Sequence, residues 1–378
     1  MNWLEVLVVT ILFVYTFCMV ITILVLLFSK KESYPLSGFT PKEKISIIIP
    51  FRNEEQNILA CLQGIVEQEF PQELVEIILV DDHSEDTTTL LSHSFLSEKQ
   101  IAYRIIELKE HNCKGKKQAI ELGVAQSSGK IIITRDADTY AKNNLWLKSI
   151  ACHFQNTNCD VLLAPVILSG TSFLQAFQKF ENIAITSMGY AFAKIKLPFV
   201  CSGANLAYKK ESFLKADPFK SNKHIASGDD MFLLQSFLDN GFLISTAKDS
   251  SFIVYTNAET GFRAFLNQRL RWASKAKSME IKTAWLIASL LFLTNTELLI
   301  TCLACLINAV NINFCLFALL YKCIIDFLLL FLGSIMYRLK PNFAFYIPAF
   351  IANLFYVSFV TMASIFINPS WKGRKRSV

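Results

Sequence analysis

Val75-Glu-Ile-Ile-Leu-Val-Asp-Asp82 decides the fold. A short, almost wholly apolar run that stops on two acids reads as a strand buried on both faces, the kind found inside a parallel sheet. Similar runs flank it: Lys44-Ile-Ser-Ile-Ile-Ile-Pro50 before, Ala102 to Leu108 and Lys130-Ile-Ile-Ile-Thr134 after. Helical stretches separate them, with Glu54 to Gln68 the clearest. The alternation predicts an α/β domain with a mostly parallel sheet flanked by helices. Ligands of such sheets bind beyond the carboxyl ends of the strands. Asp81 and Asp82 end the second strand there, and Asp136 and Asp138 end the fourth.

Outside this block the composition changes. Of the 378 residues, 53% are hydrophobic, and the mean hydropathy is +0.38. Both values are too apolar for an ordinary soluble domain. The excess lies at the ends: Val6 to Phe28 is uncharged and long enough to span a bilayer, and three further spans are expected at Ala284–Asn308, Phe314–Met336 and Phe343–Ile367. The expected organisation is an N-terminal transmembrane anchor (1–30), a cytoplasmic α/β domain (44–280), C-terminal transmembrane helices (284–367) and a basic tail (368–378). Lys30 and Lys31 follow the first span and orient its C-terminal end to the cytoplasm. The net charge of +6 clusters beside apolar runs, which suits contact with membrane lipids and gives no nucleic-acid partner. The tail, Trp371 to Arg376, conflicts with three simple spans. They would place it outside, whereas its larger charge favours the cytoplasm. A re-entrant hairpin at Ala284–Asn308, broken at Thr294-Asn-Thr-Glu297, would resolve the conflict. Phe173, Phe177, Phe180, Ala184 and Met188 share a helical face that suits either a core or a membrane surface. Ten scattered cysteines fit a reducing compartment. The Cys302/Cys305 pair reads as small residues on a membrane helix.

Five groups bear chemistry, each beside a plainer reading. Asp136-Ala-Asp138 at a strand end can share a hard cation such as Mg²⁺ or Mn²⁺, or form a solvated turn. Asp81-Asp82 can accept hydrogen bonds from a nucleotide base or ribose, or simply make an acidic loop. Gly115-Lys116 opens a helix, where amides and a lysine suit phosphate; surface charge is the default. Asp229 and Asp230 can cap the run that follows, or one of them can take a proton in a cleft. Gln268-Arg-Leu-Arg271-Trp272 is either a basic juxtamembrane helix or a wall for an acceptor with a cation facing a diphosphate. Glu297, Lys322 and Asp326 are ionisable groups within apolar spans; the last two are one turn apart and read as a neutralising pair.

Together Ile47-Ile-Ile-Pro-Phe-Arg-Asn-Glu54, Leu79 to Asp86, Gly115 to Ile120, Asp136-Ala-Asp138, Ser202-Gly-Ala-Asn205, Gly228-Asp-Asp230 and Gln268-x-x-Arg-Trp272 run in the order found in family 2 glycosyltransferases. The chain resembles their integral-membrane branch, which has the GT-A fold. The resemblance implies Asp81, Asp82, Lys116, Asp136 and Arg271 on a nucleotide-diphosphate sugar. It implies Asp138 as principal metal ligand with Asp136 beside it, and Mg²⁺ or Mn²⁺ as cofactor. Asp230 matches the general base, with Asp229 standing where Glu is common. Gln268 and Trp272 match the acceptor-facing positions. The expected reaction is inverting transfer to a lipid or glycan acceptor at a multi-pass cell membrane site, with a lipid favoured and a processive polysaccharide synthase as the alternative. A degenerate, non-catalytic scaffold would have lost a chemical position, yet Asp138, Asp230 and Arg271 are all present.

Overall fold

The computed structural model describes residues 2–29, 36–222, 225, 228–274 and 280–367. Lys30, Lys31 and the basic tail lie outside the described residues. The chain falls into two compact units that are not contiguous in sequence. One gathers the described residues of 1–30, 170–199 and 258–376, and the other those of 31–169 and 200–257. The block expected at 44–280 is divided: the described residues of 170–199 and 258–280 cluster with the apolar ends.

The second unit holds the sheet. In chain order its strands are β1 (Ile45–Phe51), β2 (Val75–Asp81), β3 (Ala102–Glu107), β4 (Ile131–Thr134), β5 (Thr139–Ala141), β6 (Val161–Leu163), β7 (Val166–Ser169), β8 (Leu206–Lys209), β9 (Ile244–Thr246) and β10 (Val254–Asn257). The main sheet runs β3-β2-β1-β4-β8-β6-β9, and β5-β10-β7 make a small second sheet. β1 pairs parallel to both β2 and β4, and within the main sheet, among the described residues, β8 alone runs antiparallel to its neighbours; in the second sheet β10 is antiparallel to β5 and parallel to β7. Pro50 is tolerated in this central strand because it lies beyond the last β1–β4 pair, Ile48↔Thr134, where no ladder donor is needed on that side. Every residue of β1, β2 and β4 is buried, as their near-continuous apolar runs require. After β1 the chain winds outward to β2 and β3, then returns to β4 on the other side. The β1/β4 boundary is thus the topological switch point, the favoured place for a ligand.

Glu76 sits at the start of β2, opposite Ser46 of β1 and at the amino ends of these strands. Burial works against its charge, but hydrogen bonds from Ser46 and from the Ser128 amide and hydroxyl, with Lys44 nearby, pull its carboxyl down to about 2.

The first unit is helical. Its members are α1 (Trp3–Phe28), α6 (Phe173–Lys194), α9 (Phe262–Ser274), α10 (Lys282–Leu306), α11 (Ile312–Met336) and α12 (Tyr346–Phe366). The sheet unit carries α2 (Ile58–Val66), α3 (Thr88–Ser97), α4 (Lys116–Gln126), α5 (Trp146–Asn156), α7 (Lys210–Ala216) and α8 (Asp229–Asp239). Among the described residues four helices, at Trp3–Phe28, Lys282–Leu306, Ile312–Met336 and Phe343–Phe366, are long and apolar enough to cross a membrane. At 1.5 Å per residue, α10 is about 37 Å long, enough for the hydrocarbon core.

α10 corrects the hairpin expectation. It is one continuous helix through Thr294-Asn-Thr-Glu297. The Thr294 hydroxyl and the Asn295 side-chain nitrogen donate back to the carbonyls of Leu290 and Leu291, so these donors are met within the helix without breaking its backbone. α6 resolves the two readings of its apolar face. Phe177, Phe180 and Ile183 are buried with Val8, Leu12, Leu298, Leu330 and Phe350, so the face packs on the candidate spans. Lys322 and Asp326 form the expected pair at 2.5 Å, and the Tyr15 hydroxyl also donates to Asp326.

Candidate active site

The site is built at the switch point. β4 ends in Thr134, and the next five residues make a tight turn. The Thr139 amide and hydroxyl donate to the Asp136 carbonyl at 3.1 and 2.7 Å. Arg135 fixes this turn from within. It is fully buried, lies over the Trp146 ring at 4.8 Å, and donates from Nε to the Thr139 hydroxyl and from Nη2 to the Thr139 carbonyl. Burial lowers its pKa. Trp146 is held in turn by Asn205, whose side chain also binds the carbonyls of Pro165 and Phe252.

The turn aims Asp136 at Lys116. Lys116 is the first residue of α4, and its Nζ lies 2.6 Å from Asp136 Oδ1 and 3.0 Å from Asp229 Oδ2. Burial pulls down the pKa of this ammonium, yet Asp136 and Asp229 outweigh burial and hold it well above its ordinary range. Asp229 is buried at the start of α8. Asp230, next to it, is half-buried and accepts the Met231 amide at 2.9 Å. Gly203 lies against the same group. A Cβ at that position would come 3.0 Å from Asp229 Oδ2, which would have to give by a few tenths of an ångström, and would be in ordinary contact with Lys116 Nζ at 3.4 Å and Asp230 Cβ at 3.5 Å.

Asp138 faces outward from the turn. Its side chain reaches solvent, but enclosure by the surrounding protein, with Asp136 and Glu54 close by, pushes its carboxyl up to about 7. This crowding of carboxylates is the environment that a cation relieves. The donor set fits such a group in a limited way. Among the described residues no three His, Cys, Asp or Glu side chains are arranged to hold a metal. Two carboxylates alone suit Mg²⁺ or Mn²⁺, which complete their shells with phosphate and water oxygens.

Asp81 and Asp82 are both buried where β2 ends. Asp81 accepts the Ser84 amide at 2.9 Å, and Asp82 accepts the Gly115 amide at 3.0 Å. Asp82 therefore tethers the residue that opens α4 and presents Lys116. Beyond the ends of β1 and β2 lies a cleft of about 410 Å³ lined by Asn53, Glu54, Glu55, Gln56, Asn57, Glu85 and Asp86. Asp86 also accepts the Thr88 amide and hydroxyl at the start of α3.

Lys116, Asp136, Asp138, Asp229 and Asp230 thus form one group in the sheet unit, joined through Gly115 to Asp82. Gln268, Arg271 and Trp272 belong to the helical unit, on α9. Three contributors are not singled out by the sequence: Arg135, and Gly203 and Asn205, which enter only as parts of the Ser202-Gly-Ala-Asn205 segment.

A mostly parallel sheet with a carboxylate turn at its switch point, answered by a lysine at a helix start, is the GT-A type of α/β fold. Comparisons agree. The sequence signature of Glycosyl transferase family 2 matches residues 46–215, and that of Glycosyl transferase family group 2 matches 131–365. The chain belongs to glycosyltransferase family 2. Glycosyltransferase AglE of Haloferax volcanii is 27% identical over 52% of this chain and 62% of its own length. The dodecaprenyl-phosphate galacturonate synthase of Rhizobium johnstonii is 30% identical over 25% of this chain and 28% of its own. The match thus spans only part of each relative. Among solved structures, the mannosyltransferase PcManGT of Pyrobaculum calidifontis, determined with GDP-Man and Mn²⁺, shares the fold with a TM-score of 0.60. It is 16% identical, and the match covers 95% of this chain and 99% of that one.

Proposed function

We propose that the protein transfers a sugar from a nucleotide-diphosphate sugar to a membrane-associated lipid, with inversion at the anomeric carbon. The observation that carries this reading is Lys116, held between Asp136 and Asp229. It brings the Gly-Lys, Asp-x-Asp and Asp-Asp segments, far apart in sequence, to one point at the end of the sheet. Family membership supports the chemistry. The four apolar helices, and the lipid in the name of the Rhizobium relative, support the acceptor class.

Asp138, with Asp136, would hold Mg²⁺ or Mn²⁺. When bound, the metal supplies charge neutralisation for the departing diphosphate, worth several kcal/mol in such sites. The residues of the chain do the rest. Asp81 and Asp82 receive the nucleoside, and Lys116 fixes the cationic side of the diphosphate pocket. The family resemblance assigns Arg271 to the diphosphate as a second cation. The acceptor hydroxyl attacks the anomeric carbon as the bond from that carbon to the diphosphate oxygen breaks, and its proton passes to Asp230. Proton removal of this kind contributes about 10²–10⁴ in rate. The resemblance assigns the base role to Asp230, while its neighbour Asp229 is paired with Lys116. The UDP carrier common in the family is the first donor to test.

Calorimetry on detergent-purified protein tests the donor site. UDP-sugars should bind more tightly with Mn²⁺ than with EDTA, and Asp138→Ala should erase the difference. Equal affinity under chelation in the wild-type protein would refute metal-assisted binding.

A further inference from the structure

The helix that carries Gln268, Arg271 and Trp272 is locked by a residue between them. Arg269 on α9 is 3% exposed. Its Nε and Nη2 donate to Glu181 Oε2 on α6 at 2.9 and 2.8 Å. The Tyr356 hydroxyl on α12 donates to the other oxygen, Glu181 Oε1, at 2.9 Å. Arg269 Nη1 donates to Gln268 Oε1 at 2.8 Å. Its guanidinium lies 5.2 Å from the Phe265 ring centroid and 4.2 Å from that of Trp272. One side chain thus reaches both Gln268 and Trp272 while tied to two other helices.

The surroundings are arranged for this. Tyr356 stacks on Phe265 with centroids 5.3 Å apart and meets the Phe177 ring edge-on at 5.2 Å. Gln268 Nε2 donates to Glu259 Oε1 at 3.2 Å. The backbone of Glu259 is gripped by Gln178, fully buried on α6, which donates to its carbonyl at 2.8 Å and accepts its amide at 3.1 Å. Both ends of the Gln268 amide are therefore fixed, its oxygen by Arg269 and its nitrogen by Glu259. A planar guanidinium can serve a carboxylate, an amide and two ring faces at once; an ammonium cannot. A surface cation beside a membrane would need none of these partners.

We propose that Arg269 is a positioning residue for acceptor binding: through Glu181 and Tyr356 it fixes the side-chain directions of Gln268 and Trp272, and with them the affinity for the acceptor. The inference rests on the reading of Gln268 and Trp272 as acceptor-facing. It assigns no contact with substrate to Arg269, Glu181 or Tyr356.

The test uses the full chain in detergent or nanodiscs, with Arg269→Lys, Glu181→Gln and Tyr356→Phe. Tyr356→Phe keeps the ring packing and removes one hydrogen bond, so it serves where the other two fail to fold. Two readouts are taken: steady-state kinetics with donor and lipid acceptor varied separately, and hydrogen exchange of the α9 amides. The expected result is an acceptor KM raised about tenfold or more in Arg269→Lys, less in Tyr356→Phe, with donor KM within about twofold of wild type. Faster exchange confined to α9 and its partners should accompany it. An unchanged acceptor KM, or equal losses for donor and acceptor, overturns the inference. If the wild-type protein transfers nothing, the functional reading has failed instead, and α9 exchange that is the same in wild type and variants still overturns the network.

Discussion

Lys116 is the side chain on which the site turns. Its charge survives burial because Asp136 and Asp229 are both within 3.0 Å, so the two carboxylates of the Asp229-Asp230 pair have different work. Asp229→Asn removes half of the lysine's support and should weaken donor binding about tenfold, measured by calorimetry. Asp230→Asn should leave donor affinity within a few-fold and lower single-turnover transfer by about 10² or more. Donor affinity that falls equally in both variants would mean that the division of roles is wrong. Gly203 offers an independent check, since the Cβ of Gly203→Ala would press on Asp229 Oδ2. Its donor affinity should fall as in Asp229→Asn. Wild-type affinity in Gly203→Ala would show that Asp229 can give way to a Cβ without cost to donor binding.

The elements differ in how far the sequence reveals them. β1, β2 and β4 are legible because strands buried on both faces must be apolar throughout, and α4 because Gly115 and the lysines mark its start. The short strands β5 to β10 are not legible. Each is three or four residues long, and its partner is chosen by tertiary pairing rather than by local pattern. α10 misleads for a related reason: Thr294 and Asn295 look like a break until their side chains are seen bonding to their own helix. Arg269 is opaque because its carboxylate, Glu181, is 88 residues away. Two predictions belong to this scale. Because the folded-state pKa of Glu76, about 2, is below its ordinary 4.5, its contribution to stability is full above about pH 4.5 and disappears as pH falls toward 2. Glu76→Gln should cost about 2–3 kcal/mol at neutral pH and flatten the acid limb of a thermal-unfolding profile in detergent. A profile identical to wild type would contradict the pairing. In the helical unit, Gly333 on α11 lets Ser187 and Ile183 of α6 come close. Gly333→Val should lower stability by about 1–3 kcal/mol through overpacking, and an unchanged melting temperature would show that α6 and α11 do not pack this way.

At the scale of the whole molecule, four helices suited to crossing a membrane and a continuous α10 change the expected topology. If the catalytic residues are cytoplasmic, where nucleotide sugars are found, three full spans after them put Arg338 and Lys340 on the cytoplasmic side and the basic tail on the other. This reverses the side favoured by charge alone. Ser377→Cys, in a background without other cysteines, should react with an impermeant maleimide in intact cells; protection until the membrane is permeabilised would refute the three-span arrangement. The central claim, sugar transfer to a membrane lipid by Asp230, is tested most directly by mass spectrometry of lipid extracts from a strain lacking the gene and from the same strain carrying either wild type or Asp230→Asn. A glycolipid absent from the deletion, restored by wild type and not by an equally expressed Asp230→Asn protein, is the predicted result. Identical lipid profiles in all strains, or full restoration by Asp230→Asn, would contradict it.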